Sequence, residues 1–169
     1  MIKRLFLTVI LIFSVFTFAV AAQIPADSET DIYRPGKKEI IDWMDQLSRM
    51  PAEQQNERAD AALKGISASS SKTPRSDFQL CVGLAYLGNA KAQRCVGYAY
   101  EKGFGVVNDL TEAYVWFELA HQGGDKEGAS DVLRIITILN SAYPAPSEEE
   151  LEMMTIEQKR IIGEYRKEI

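Results

Sequence analysis

The stretch from Ala92 to Gly124, AQRCVGYAYEKGFGVVNDLTEAYVWFELAHQGG, constrains the fold more than any other part of the chain. It reads as a helix, a glycine-punctuated loop and a second helix. Small residues at Gly97, Ala99, Ala113 and Ala120 alternate with large ones at Tyr98, Tyr100, Tyr114, Trp116, Phe117 and Leu119. That pattern lets two helices approach closely while aromatic rings fill the remaining space. Gly103 and Gly105 bracket Phe104 where the first helix must stop, because glycine enters the left-handed conformation at little steric cost. Asp109 can cap the free amides of a helix beginning at Leu110, a contribution of about 1 kcal/mol.

Ala92, Val96-Gly97, Tyr100, Gly103-Phe104-Gly105-Val106, Asp109, Ala113, Trp116 and Ala120 stand in the order and spacing of a Sel1-like repeat, a tetratricopeptide-related hairpin of roughly 36 residues. The segment resembles that family, with Val96 in place of the usual leucine. In full, the likeness covers about a fifth of the chain. It implies an all-α fold, a short right-handed α/α solenoid of helical hairpins with flanking cap helices, and a role as an adaptor or interaction scaffold.

One hairpin cannot bury its own apolar face, so partial copies are expected on both sides. Leu84 to Ala92 parallels the stretch after Leu119, which makes a helix from about Phe78 to Leu87 the second half of a preceding, degenerate repeat. Downstream, Ala129 to Leu139 begins a third first helix, but Leu133 stands where the pattern wants glycine and no Gly-x-Gly loop follows. The array is therefore expected to end there, placing the repeats over 77–140 and a capping segment over 141–169. Pro144 and Pro146 interrupt the chain. Thr155-Ile156-Glu157-Gln158 then offers a capping box for a closing helix from about Ile156 to Lys167.

Before the repeats, Ile40, Ile41, Met44, Leu47 and Met50 recur at helical spacing, which predicts an amphipathic helix over Lys38 to Met50. Pro51 suits the start of a second helix, Ala52 to Ile66. This pair is expected to pack on the first repeat and cap the array. Ser67 to Ser76, SASSSKTPRS, reads as a mobile polar loop, longer than the one from Gly103 to Asn108, and together these elements make a unit over 37–76. Residues 23–36 lack periodicity and read as flexible or loosely attached.

Lys3 and Arg4 precede an apolar run from Leu5 to about Val20, and Val20-Ala21-Ala22 supplies small residues before Gln23. This pattern reads as a signal peptide over 1–22. The destination is then periplasmic, with an uncleaved inner-membrane anchor as the alternative. No cysteine stands directly after the run at the cleavage point, which argues against a lipoprotein. The chain carries a formal charge of −5. Neither nucleic acid nor, after cleavage, a membrane is an expected partner.

Cys81 and Cys95 are the two cysteines, each seven residues from Gly88 at the presumed turn between antiparallel helices. Equal arms make them neighbours, and an exported chain meets conditions that would join them as a disulfide. The alternative is a pair of small buried apolar residues.

Catalytic chemistry is not legible. His121 is the one histidine and sits late in a helix, where a cation suits the dipole. No cluster has metal-ligand spacing, no glycine-rich turn suits phosphate, and Glu148, Glu149, Glu150 and Glu152 read as charges complementing a helix start. No cofactor is implied. What remains is a surface, with Tyr98, Tyr114 and Glu118 as candidate contacts for one protein partner in the envelope: an effector toxin, a sensor or an assembly component. Ala92, Gly97, Tyr100, Gly103, Gly105, Asp109, Ala113, Trp116 and Ala120 are structural positions of the repeat. A cell-wall-fragment or β-lactam binder or enzyme is the competing class.

Overall fold

A computed structural model describes residues 33–141 and 145–169, and seven α-helices lie among them. The helices are α1 (Lys37–Ser48), α2 (Ala52–Ser67), α3 (Pro74–Tyr86), α4 (Ala90–Lys102), α5 (Leu110–Gln122), α6 (Gly128–Leu139) and α7 (Glu148–Tyr165), followed by a short 3-10 turn at Arg166–Glu168. The proposed leader and its cleavage point, and Pro144, lie outside the described residues.

The fold is all-α. Helices α2, α4 and α6 begin at positions 52, 90 and 128, a spacing of 38 residues each time, and α3, α5 and α7 alternate with them. Helix α2 packs on α3 and α4, α4 packs on α3 and α5, and α5 packs on α6. Helices α1 and α7 lie on the other side of this arrangement, α1 against α3 and α7 against α5. Helix α2 therefore pairs with α3 as the first half of a hairpin, whereas it was expected to cap the array beside α1.

Each boundary has a local cause. Asn89 accepts from the Ala92 amide at 3.0 Å and starts α4. Gly103 ends α4 with φ +65°, and the Asp109 carboxylate then takes the amides of Thr111 and Glu112 at 3.1 and 3.0 Å. Gly105, φ +81°, lies against the backbone of Pro74 and Arg75, where no side chain has room. The start of α3 and the loop after α4 are thereby brought together.

Four expectations change. The polar loop is shorter than Ser67 to Ser76, because Pro74 sits at the first position of α3, where its missing amide costs nothing. The connection runs only from Ala68 to Thr73, so it is not longer than the loop after α4. The closing helix starts at Glu148, eight residues before Ile156. Ser147 and Glu150 form the capping box, and Thr155 lies inside the helix, its hydroxyl donating to the Leu151 carbonyl at 3.0 Å. The last residues of 23–36 are docked: the Tyr33 hydroxyl accepts from Gln79 at 3.2 Å under the Arg75 guanidinium, and Arg34 pairs with Asp109 at 3.4 Å.

The core runs through all seven helices and is densest in α3, α4 and α5. Ala92, Val96, Ala99, Ala113, Phe117 and Ala120 have no exposed surface, and Trp116 is buried. Gly97 works by absence: a β-carbon there would lie 2.6 Å from Cδ1 of Phe117. Tyr100 meets Phe78 edge to face, with ring centres 5.7 Å apart. Cys81 and Cys95 are fully buried across the α3–α4 turn, with Cα atoms 6.0 Å apart and their sulfurs joined.

Candidate functional site

The three candidate contacts do not form one patch. Tyr98 lies between α4 and α6, where its ring meets Phe117 edge to face at 5.0 Å. Tyr114 and Glu118 lie on α5 and face α7.

Tyr98 sits inside an ionic network that ties α4 to α6. Its hydroxyl donates to the buried carboxylate of Asp131 at 2.7 Å, and the other Asp131 oxygen takes the Arg94 Nε at 2.6 Å. Arg94 also reaches Glu127, and Arg134 bridges Asp131 and Glu101. Burial opposes the charge on Arg94, but its hydrogen bonds to the carboxylates of Asp131 and Glu127 and the Asp131 charge outweigh it and hold the guanidinium more firmly protonated than usual. Burial and the bond to Asp131 push the Tyr98 phenol upward. Every charge in this set has a partner inside the protein, so the arrangement holds two helices together more than it offers groups to a ligand. Of these residues sequence reading singled out Tyr98 alone, and as a contact for a partner. Their only signal is spacing: Arg94 and Glu127, Tyr98 and Asp131, and Glu101 and Arg134 are each 33 residues apart.

The groove between α5 and α7 is of a different kind. It encloses about 380 Å³ and is lined by Tyr114, Glu118 and Gln122 on α5 and by Glu148, Glu152, Thr155, Ile156 and Lys159 on α7. It exists because α7 runs alongside α5, its first turn anchored by the Ser147 cap and its middle by buried Leu151 and Thr155. Burial first, and then the carboxylates of Glu118, Glu148 and Glu152, push the Tyr114 phenol above its ordinary value. Lys159 is the cation in the lining and lies 3.3 Å from the Gln122 amide oxygen. Ile156 is 53% exposed at the groove and Met153 is 60% exposed one turn earlier. An aromatic ring in an acidic wall beside uncovered apolar side chains can take a cationic side chain together with its aliphatic stem.

No protein-family model matches the chain, and no solved structure matches it closely. The likeness to Sel1-like repeats therefore stands on the motif residues.

A second concavity, about 720 Å³, lies at the turns that open α4 and α6 and is lined by Asn56, Asp60, Asn89, Lys91, Arg94 and Asp125 among others. Its polar groups are largely engaged: Asn89 with Asn56 at 2.7 Å, and Lys91 with Asp60 at 2.8 Å. His121 is exposed at the end of α5. Among the described residues no three His, Cys, Asp or Glu side chains converge as a metal site, and no helix is long and apolar enough to cross a membrane.

Proposed function

We propose that this chain is a non-catalytic protein–protein interaction module of the bacterial envelope, exported by its leader, and that it holds one protein partner at the α5–α7 groove. The observation that carries the reading is the juxtaposition of Tyr114 and Glu118 with Glu148, Glu152 and exposed Ile156 in one groove. Exposed apolar side chains rimmed by charge mark a surface that another protein covers. The short groove suits a single segment or loop that presents a lysine or arginine to the three carboxylates. The repeat-like hairpins and the motif likeness to an adaptor family support the same role.

The test is affinity capture of the tagged, exported protein from envelope extract after mild cross-linking, with a Glu118→Lys/Glu152→Lys double variant in parallel. One stoichiometric partner that is lost from the double variant, whose helical spectrum and melting temperature stay close to those of the unmodified protein, is the expected outcome. Recovery of the protein alone, or with cell-wall fragments only, would overturn the reading. An immunity-type partner survives high-salt washing with nanomolar affinity or better, whereas a regulatory partner exchanges.

A further inference from the structure

Most of the sulfur in the described residues is sealed from solvent. Cys81 and Cys95 have no exposed surface and are joined to each other, and no free thiol lies among the described residues. Met44 has no exposed surface, and Met50 is half-buried against the core. Met153 and Met154, adjacent on α7, are instead 60% and 38% exposed. Neither belongs to the apolar core, so core packing does not account for two methionines at that place.

We infer that Met153 and Met154 form an oxidation site, at which a neutral peroxide converts the exposed thioethers to sulfoxides while the fold stays intact. In the step, a sulfur lone pair takes one oxygen from hydrogen peroxide. The S–O bond forms as the O–O bond breaks, sulfur loses two electrons, and the peroxide leaves as water. The rate follows the access of the oxidant to the sulfur. A thiolate would compete for the oxidant, but both cysteines are engaged in the disulfide. Charge selects the class of oxidant. Glu149 and Glu157 stand one turn to either side of Met153, and Glu148 and Glu150 share the first turn of α7, so an anionic oxidant is repelled where a neutral one is not.

The consequence falls on the α5–α7 groove. Ile156 lines that groove, and Met153 is its neighbour one turn earlier on the same helix. A sulfoxide replaces a flexible apolar side chain by a polar one, so the uncovered apolar rim shrinks and its hold on the apolar surface of a partner weakens. Methionine sulfoxide reductases return the thioether, which makes the change reversible. This regulatory step rests on the reading of the groove as a partner site, whereas the oxidation site does not.

Graded hydrogen peroxide on the folded, disulfide-bonded protein, followed by peptide mass mapping, tests the site. Met153 and Met154 should each gain one oxygen at least about tenfold faster than Met44, which reacts only when the core opens. The helical spectrum should not change as they do. Equal rates at Met44, or loss of helix in step with the first oxygen gained, would sink the site. The affinity capture described above, repeated after peroxide with the native chain and with Met153→Leu/Met154→Leu, tests the regulation. The treated native chain should retain several-fold less partner than the untreated one, and the treated variant should retain it in full. Equal retention by the treated native chain and the treated variant would overturn the regulation and leave the groove reading standing. Absence of a partner on the untreated chain would overturn the groove reading and the regulation together, with the site still decided by the mass map.

Discussion

At the scale of single residues, Trp116 and Glu112 show how packing and charge meet at one spot. Trp116 is 3% exposed and stands beside Tyr86, with ring centres 5.7 Å apart. Removing the ring leaves a cavity that the rigid helices cannot close, so Trp116→Ala should destabilise the fold by about 3 to 5 kcal/mol, read from chemical denaturation. Glu112 is one turn earlier. Burial, and then the negative charge of Asp109, push its carboxyl upward, while Arg34 and a hydrogen bond from Trp116 pull the other way. Its folded state favours the protonated acid, so this group's contribution is full below the ordinary carboxylate range and is lost as pH rises through the raised folded value. Glu112→Gln should therefore be more stable than the native chain at pH 7, and the difference should shrink toward pH 4. Denaturation midpoints across that range check the sign, and a gain independent of pH would count against it. Gly97, Trp116 and Asp109 were legible in the sequence because each does its work through its own size or cap. Asp131 was not, since its meaning comes from Arg94, Tyr98 and Arg134, which only the fold brings together.

At the scale of elements, the α3–α4 hairpin carries the strongest covalent constraint. The cysteines sit 14 residues apart, and a cross-link closing a loop of about 15 residues is worth roughly 3 kcal/mol in the chain-entropy model. Cys81→Ala/Cys95→Ala should lower the unfolding free energy by about that amount. The folded protein produced under oxidising conditions should show no free thiol in a non-reducing mass measurement. Helix identities were readable from periodicity, and the α4–α5 hairpin was found nearly to the residue. Two helix starts were not. In α7 both Ser147-x-x-Glu150 and Thr155-x-x-Gln158 fit a capping box, and three glutamates in the first turn together with buried Leu151 favour the earlier one. In α3 a serine-rich approach concealed that Pro74 begins the helix rather than ending a loop. Asp109→Ala should cost about 1 kcal/mol, because two α5 amides lose their acceptor.

At the scale of the whole molecule, the sequence showed that hairpins alternate but not where the last helix goes. Periodicity marks which side of α7 is apolar and is silent on what it covers. The α5–α7 groove follows from that one placement, of a helix laid on α5 and not on α6. The far end of α7 adds to this. Tyr165 stacks on Tyr86 at 5.3 Å, Gln158 donates to the Tyr86 hydroxyl at 3.0 Å, and burial foremost pushes that phenol to about 12. Beyond it, Glu168 pairs with Lys37 at the start of α1 at 2.6 Å. A row of stacked hairpins in which each touches only its neighbours can fray from either end, one unit at a time. Here the turn at Arg166–Glu168 reaches back to α1, the first of the described helices, a contact that stacking of neighbours alone does not supply. The pair is half exposed and adds little by itself, so it damps fraying at the two ends of the row rather than abolishing it.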